Sequence, residues 1–189
     1  MRQRLHGIVL LPVVGAASWF GMMVAHESGH VLHAWVSGGR VAKVVLHPLA
    51  FSRTDFVVNP HPLFVAWGGV VWGCVLPLLL LLLAMSFRYR LVPLGRFFAG
   101  FCLIANGAYL ATAVVAPVGD AEDLLRLGAP LWTLFLVGAV IVGCGFVLWN
   151  RIGTEFGFGE KVVDRAAVVF ASLSLVALVG GMLVWSTMT

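Results

Sequence analysis

Apolar residues along this chain fall into five long runs, at roughly 7 to 36, 62 to 86, 97 to 116, 130 to 149 and 166 to 187, separated by short polar stretches. Each run is long enough to carry a helix across a hydrocarbon core about 30 Å thick, which takes about 20 residues. The pattern predicts an all-α membrane protein of about five transmembrane helices, folded as a single domain over 1–189. No internal repeat or low-complexity linker interrupts it, and no polar connection is long enough to hold a separate soluble domain. Any chemistry must therefore come from the spans and the loops beside them.

The first run is longer than one crossing requires, since about 30 residues reach about 45 Å, so its helix must tilt or project. Arg2 and Arg4 followed by an apolar stretch to Ala25 have the layout of a secretory signal peptide. Met23 stands where such a cleavage site wants a small residue, and the pattern continues to Trp35, so the segment reads as the first span. Pro12 falls early, where a missing amide proton is tolerable. Gly15, Gly21 and Gly29 serve either close helix contacts or nothing beyond ordinary membrane-helix composition.

The segment between the first two runs is not helical in pattern. Gly38 and Gly39 stop the helix, and Val41 to His47 read as a β-prone run. Ser52, Arg53, Thr54 and Asp55 are expected to turn the chain into a second strand at Phe56 to Val58, before Asn59, Pro60, His61 and Pro62. A short membrane-associated β-hairpin over about 40–58 is the expectation. It is apolar on both faces and should lie against the helices, because a lone hairpin is unstable in water and cannot expose its edge to lipid.

Composition agrees with a membrane protein: 61% of residues are hydrophobic and 11% charged, too little polar surface to coat a soluble globule. The net charge of +4 does not point to nucleic acid, because the Lys and Arg residues are scattered between apolar runs and form no patch. Arg2, Arg4, Arg88, Arg90, Arg96, Arg151, Lys161 and Arg165 fall on one side of the predicted spans; Arg40, Lys43, Arg53 and Arg126 fall on the other. The positive-inside tendency then puts the N-terminus in the cytoplasm and the hairpin across the membrane from it. Cys74, Cys102 and Cys144 lie in three different runs with no CxxC spacing, and read as packing residues.

Chemistry enters with His26, Glu27, Ser28, Gly29 and His30, which spell HExxH inside an apolar helix. Histidines at i and i+4 project from one face a turn apart, so both imidazoles can reach one metal ion. Glu27 is offset by one residue, beside the metal, where it can take a proton from water activated there. Zinc (Zn2+, one per chain) suits nitrogen and carboxylate donors and brings the pKa of water towards about 7. Each ionisable group at mid-membrane carries a penalty of at least ~2.5 kcal/mol, so three within five residues imply a function.

A third ligand is needed. Asp120 and Asp123 follow the third span, whose end shares a membrane face with the end of the first, and Pro117, Val118 and Gly119 can turn the Asp120 carboxylate back into the bundle. Asp120 is the expected ligand and Asp123 the alternative; both could also be solvated loop acids or caps of a short helix. His33 is a further alternative ligand or an interfacial histidine, His47 and His61 flank the hairpin, and His6 is terminal. Asn106, in the third span, either binds substrate backbone or the tetrahedral intermediate, or makes a helix-to-helix hydrogen bond.

These features resemble the site-2 protease family of intramembrane zinc metallopeptidases, its small bacterial members especially, over about residues 20 to 130. The likeness rests on HExxH at His26 to His30, on Gly38 and Gly39, on the hairpin insertion, and on Asn106, Pro117 and Asp120. It implies that His26, His30 and Asp120 hold zinc, that Glu27 is the base, and that the hairpin presents an unwound substrate segment as an added strand in a bacterial cell membrane. The chain departs from the family in having Ala121 where a glycine follows the ligand Asp, and a longer gap back to Asn106. The expected function is hydrolysis of peptide bonds in membrane-embedded or membrane-adjacent segments of a protein or peptide substrate. The rivals are a membrane protein that holds or moves a metal without cleaving anything, and a structural helix bundle.

Overall fold

The computed structural model describes residues 2–87, 90–158 and 162–188, with side chains from Gly7 onward. Arg88 and Lys161, and the side chains of Arg2, Arg4 and His6, lie outside it. The chain is mostly helical: α1 (Arg2–Val36), a hairpin of β1 (Arg40–Val45) and β2 (Arg53–Val58), α2 (Pro62–Ser86), α3 (Val92–Ala111), a short α4 (Asp120–Arg126), α5 (Leu131–Trp149) and α6 (Arg165–Met188). Among the described residues, α1, α2, α3, α5 and α6 are the five helices long and apolar enough to cross a membrane.

Local sequence explains most of the boundaries. Gly38, at φ +76°, ends α1, its amide reaching the Trp35 carbonyl while Gly39 N–H bonds the Ala34 carbonyl at 2.7 Å. Pro62 opens α2, where its missing N–H costs nothing. The third span begins at Val92, five residues before the apolar run suggests, because Arg96 is absorbed into it. Its guanidinium donates to the Leu148 and Asn150 carbonyls at 3.0 and 3.1 Å, capping the end of α5, so a charge that breaks the hydropathy pattern is satisfied inside the bundle. The same span stops as an α-helix at Ala111, short of 116, and continues as a 3₁₀ turn over Thr112–Val114.

The hairpin differs from expectation in where it turns. Arg53, Thr54 and Asp55 belong to β2, paired with Val45, Val44 and Lys43, and the chain reverses around Pro48 instead. Arg53 Nε donates to Asp55 at 3.2 Å along one face of the strand, which leaves Thr54 on the opposite face. The strands are antiparallel, with register irregularities near Val41.

Two buried clusters hold the helices. One joins Leu10 and Val14 of α1, Phe97 of α3, Phe156, and Ala167 and Ala171 of α6. The other joins Ala66 and Val70 of α2, Leu110 of α3, Leu134 of α5, and Ala121 and Leu124 of α4. The second seats α4, the element that carries Asp120. Helix α1 meets α2 at Gly29 and Gly68, where a Cβ on Gly68 would stand 2.6 Å from the Gly29 carbonyl oxygen, so only glycine permits the approach.

Candidate metal centre

Helix α1 sets His26 and His30 one turn apart with ring centroids 4.9 Å apart, edge to face. Each ring is oriented from behind by a different helix. His30 Nδ1 donates to the Val65 carbonyl of α2 at 2.8 Å; a carbonyl only accepts, so the proton sits on Nδ1. His26 Nδ1 lies 2.8 Å from Asn106 Oδ1 of α3, and the Asn106 Nδ2 donates to the Cys102 carbonyl at 2.9 Å, which fixes the amide so that its oxygen receives the His26 proton. With both Nδ1 atoms committed, each Nε2 is the nitrogen turned to the same point, free to bond Asp120 through a proton or to offer its lone pair to an ion that replaces that proton.

Asp120 completes the group from 94 residues further along the chain than His26. Its Oδ2 lies 2.6 Å from His26 Nε2 and 3.1 Å from His30 Nε2, and the two Nε2 atoms are 3.2 Å apart. Gly119 takes φ +53° and ψ −128°, a conformation for glycine, and a Cβ there would collide with Tyr109 Oη. That hydroxyl donates to the Val118 carbonyl at 2.9 Å and accepts the Asp120 N–H at 2.8 Å, tying the loop to α3 at the residue that carries the carboxylate. Ala121 and Leu124 are buried against α2, α3 and α5, so α4 cannot roll away. Burial alone would raise the Asp120 carboxyl, but its bonds and charge interactions with His26 and His30 outweigh that and hold it below the usual carboxylate range.

Three donor atoms this close need positive charge among them, which a proton on an Nε2 or a metal ion in its place can supply. Among the described residues His26, His30 and Asp120 form the group able to hold a metal ion. A tetrahedral ion bonded at about 2.0–2.1 Å spaces its ligands about 3.3 Å apart. The Nε2–Nε2 and His30–Asp120 separations, 3.2 and 3.1 Å, are near that; the His26–Asp120 separation of 2.6 Å is that of a charge-assisted hydrogen bond. Two neutral imidazoles and one carboxylate fit zinc in number and chemistry and leave a fourth position for water or substrate. Gly69 of α2 makes the space: a Cβ there would overlap the Nε2 atoms of both histidines.

Glu27 is 3% exposed and lines the same cavity of about 770 Å³ as the three residues. Its Oε2 accepts a hydrogen bond from Thr54 Oγ1 at 2.7 Å, so the hairpin reaches the acid directly. The cavity wall is otherwise largely apolar, including Trp19, Met22, Phe56 and Val65.

Other expected residues stand elsewhere. Asp123 also borders the cavity, but its carboxylate pairs with Arg126 at 2.6 Å, its side chain is 48% exposed against 20% for Asp120, and it is not part of the three-atom group. Asn106 lines the cavity, is 2% exposed and has oxygen and nitrogen both engaged; its oxygen makes a hydrogen bond from α3 to His26 of α1, the helix-to-helix contact that is one of the two roles expected of it. His33 donates to the Phe64 carbonyl at 2.7 Å and stacks on that ring, away from the cluster. His47 accepts the Leu49 N–H in the hairpin turn, and His61 precedes α2 without capping it. Sequence reasoning missed Tyr109, Thr54 and Gly69. The run Gly68, Gly69, Gly73 in α2 was a signal for close packing, but nothing in it said that the packed group would be an imidazole. No family model, no curated protein and no solved structure matches this chain.

Proposed function

We propose that this chain is an integral membrane zinc metalloprotease, similar to the site-2 proteases, that hydrolyses peptide bonds in membrane-embedded or membrane-adjacent segments. Five apolar helices of spanning length support the membrane part, and a bacterial cell membrane is the setting the resemblance suggests. The observation that carries the proposal is the convergence of His26 Nε2, His30 Nε2 and Asp120 Oδ2 beside a buried acid that is not one of them.

His26, His30 and Asp120 would hold the zinc, which supplies a Lewis acid that makes water a better nucleophile and draws charge from a carbonyl oxygen. Glu27 takes a proton from the attacking water as the new C–O bond forms at the scissile carbon. It then delivers that proton to the amide nitrogen as the C–N bond breaks, leaving one carboxyl and one amine product. Trp19, Met22 and Phe56 give the substrate an apolar channel and limit competing water. A carbonyl within a helix is sheltered by the i+4 amide, so the substrate must first be opened, and pairing along a hairpin edge would hold it extended.

The test is cleavage of synthetic apolar peptides in detergent micelles by the purified chain, followed by mass spectrometry. Wild type should cut, a zinc chelator should stop it, and added zinc should restore it. Glu27→Gln should keep its zinc and lose at least about 100-fold in turnover. A protein that only holds or moves metal would tolerate Glu27→Gln in metal binding and cut nothing in any form.

A further inference from the structure

One line of contacts runs through α6, the hairpin and α1. Trp185 Nε1 donates to the Val44 carbonyl at 2.7 Å, Val44 is the residue paired with Thr54 across the hairpin, and Thr54 Oγ1 donates to Glu27 Oε2 at 2.7 Å. The last helix thus holds the rung of the hairpin from which the acid is held. We propose that Thr54 is a positioning residue for Glu27, and that Trp185 sets where Thr54 stands. The inference rests on the protease reading above, in which Glu27 moves the proton.

The physical case has three parts. A glutamate has three rotatable bonds, and Glu27 lines a cavity wide enough to allow more than one rotamer. The Thr54 bond engages one carboxylate oxygen and leaves the other as the proton acceptor, and bonds to a charged acceptor are the stronger kind. Second, Thr54 is aimed by its own strand, because Arg53 and Asp55 pair with each other on the opposite face. Third, a two-stranded hairpin is marginal by itself, so the accuracy of Thr54 depends on what braces the sheet. The Trp185 bond falls on the same rung, at the carbonyl of the paired residue, where a shift of β1 would carry Thr54 with it. A hydroxyl that merely satisfied a buried carboxylate would need no such brace and would not affect turnover separately from folding.

The experiment uses the full chain, zinc-loaded, in micelles, with two readouts on the same preparations. The first is the infrared carboxylate band of Glu27, isolated as the difference between wild type and Glu27→Gln. Thr54→Val should move it, Thr54→Ser should leave it in place, and Trp185→Phe, which keeps the ring and loses the N–H, should move it in the same direction. The second is hydrolysis of a quenched fluorogenic apolar peptide. Thr54→Val should lower kcat about tenfold with KM within about twofold and zinc content unchanged, Thr54→Ser should recover most of the rate, and Trp185→Phe should fall between them. A band unmoved in Thr54→Val overturns the proposal, as does a moved band with kcat unchanged. Thr54→Val protein that fails to bind zinc is replaced by Trp185→Phe, for which wild-type band position and rate would overturn the bracing role. A wild type with the expected band that cleaves nothing overturns the protease reading itself and removes the reaction that Thr54 is said to serve.

Discussion

Asn106 Oδ1 stands 2.8 Å from His26 Nδ1, across 80 residues of chain, and decides which nitrogen of that imidazole faces Asp120. The amide is held in turn by the Cys102 carbonyl one helical turn back, so the orientation is set inside α3 before it acts on α1. Metal-ligating histidines usually carry such a partner, which fixes the tautomer and raises the basicity of the other nitrogen.

Replacing Asn106 by Leu should therefore weaken zinc binding without abolishing it, by about 10- to 100-fold, measured by competition with a chromogenic chelator. Unchanged affinity would mean that His26 finds its orientation without the amide.

The identity of the ligands is tested by zinc content per chain in detergent-purified protein. Wild type should hold one zinc, and His26→Ala, His30→Ala and Asp120→Ala should each lose it or hold it far more weakly. His33→Ala and Asp123→Asn should keep it, because the first residue bonds the Phe64 carbonyl and the second pairs with Arg126. Zinc lost from Asp123→Asn but retained in Asp120→Ala would reverse the assignment.

Gly69 gives a packing test that touches no ligand. Alanine there would place its Cβ on the two imidazole Nε2 atoms, whereas alanine at Gly180 meets nothing within 4 Å. Gly69→Ala should cost about 1–3 kcal/mol, the usual penalty of overpacking, and displace the metal as well. Gly180→Ala should leave both properties at wild-type values. Thermal unfolding in micelles with and without zinc reads the two effects separately.

Tyr109→Phe removes the hydroxyl that bonds both the Val118 carbonyl and the Asp120 N–H. Two lost hydrogen bonds should cost about 1–3 kcal/mol in total, most of it felt as looser placement of Asp120 and weaker zinc binding. Thermal unfolding with and without zinc checks this: a loss the same size in both would show that the hydroxyl supports the fold and not the site.

Much of the architecture could be read from hydropathy alone, because a helix that meets lipid must satisfy its backbone internally and show apolar side chains over its whole length. The boundaries of α2, α5 and α6 and the end of α1 are legible for that reason, although α1 begins at Arg2, five residues ahead of its apolar run, and the two-strand insertion is legible from Gly38, Gly39 and the β-prone residues after them. Arg96 hid the start of α3, since its compensation by the Leu148 and Asn150 carbonyls is 52 and 54 residues away. Polar Arg53 to Asp55 read as a turn because strand pairing with Val45 to Lys43 overrides local preference.

By itself the sequence determined that His26, Glu27 and His30 share a helix, with the histidines on one face, since their spacing is local and follows from 3.6 residues per turn. It left Asp120, Asp123 and His33 open as the third donor. Only the tertiary structure brought Asp120, and not the others, to both Nε2 atoms, and only it found Tyr109, Gly69 and Thr54, because each acts through a contact with a distant element: Tyr109 on the loop before α4, Gly69 behind two imidazoles, Thr54 on an acid of α1. Such contacts depend on how helices cross and how a strand is registered, and helical periodicity in one segment carries no information about the face another segment turns towards it.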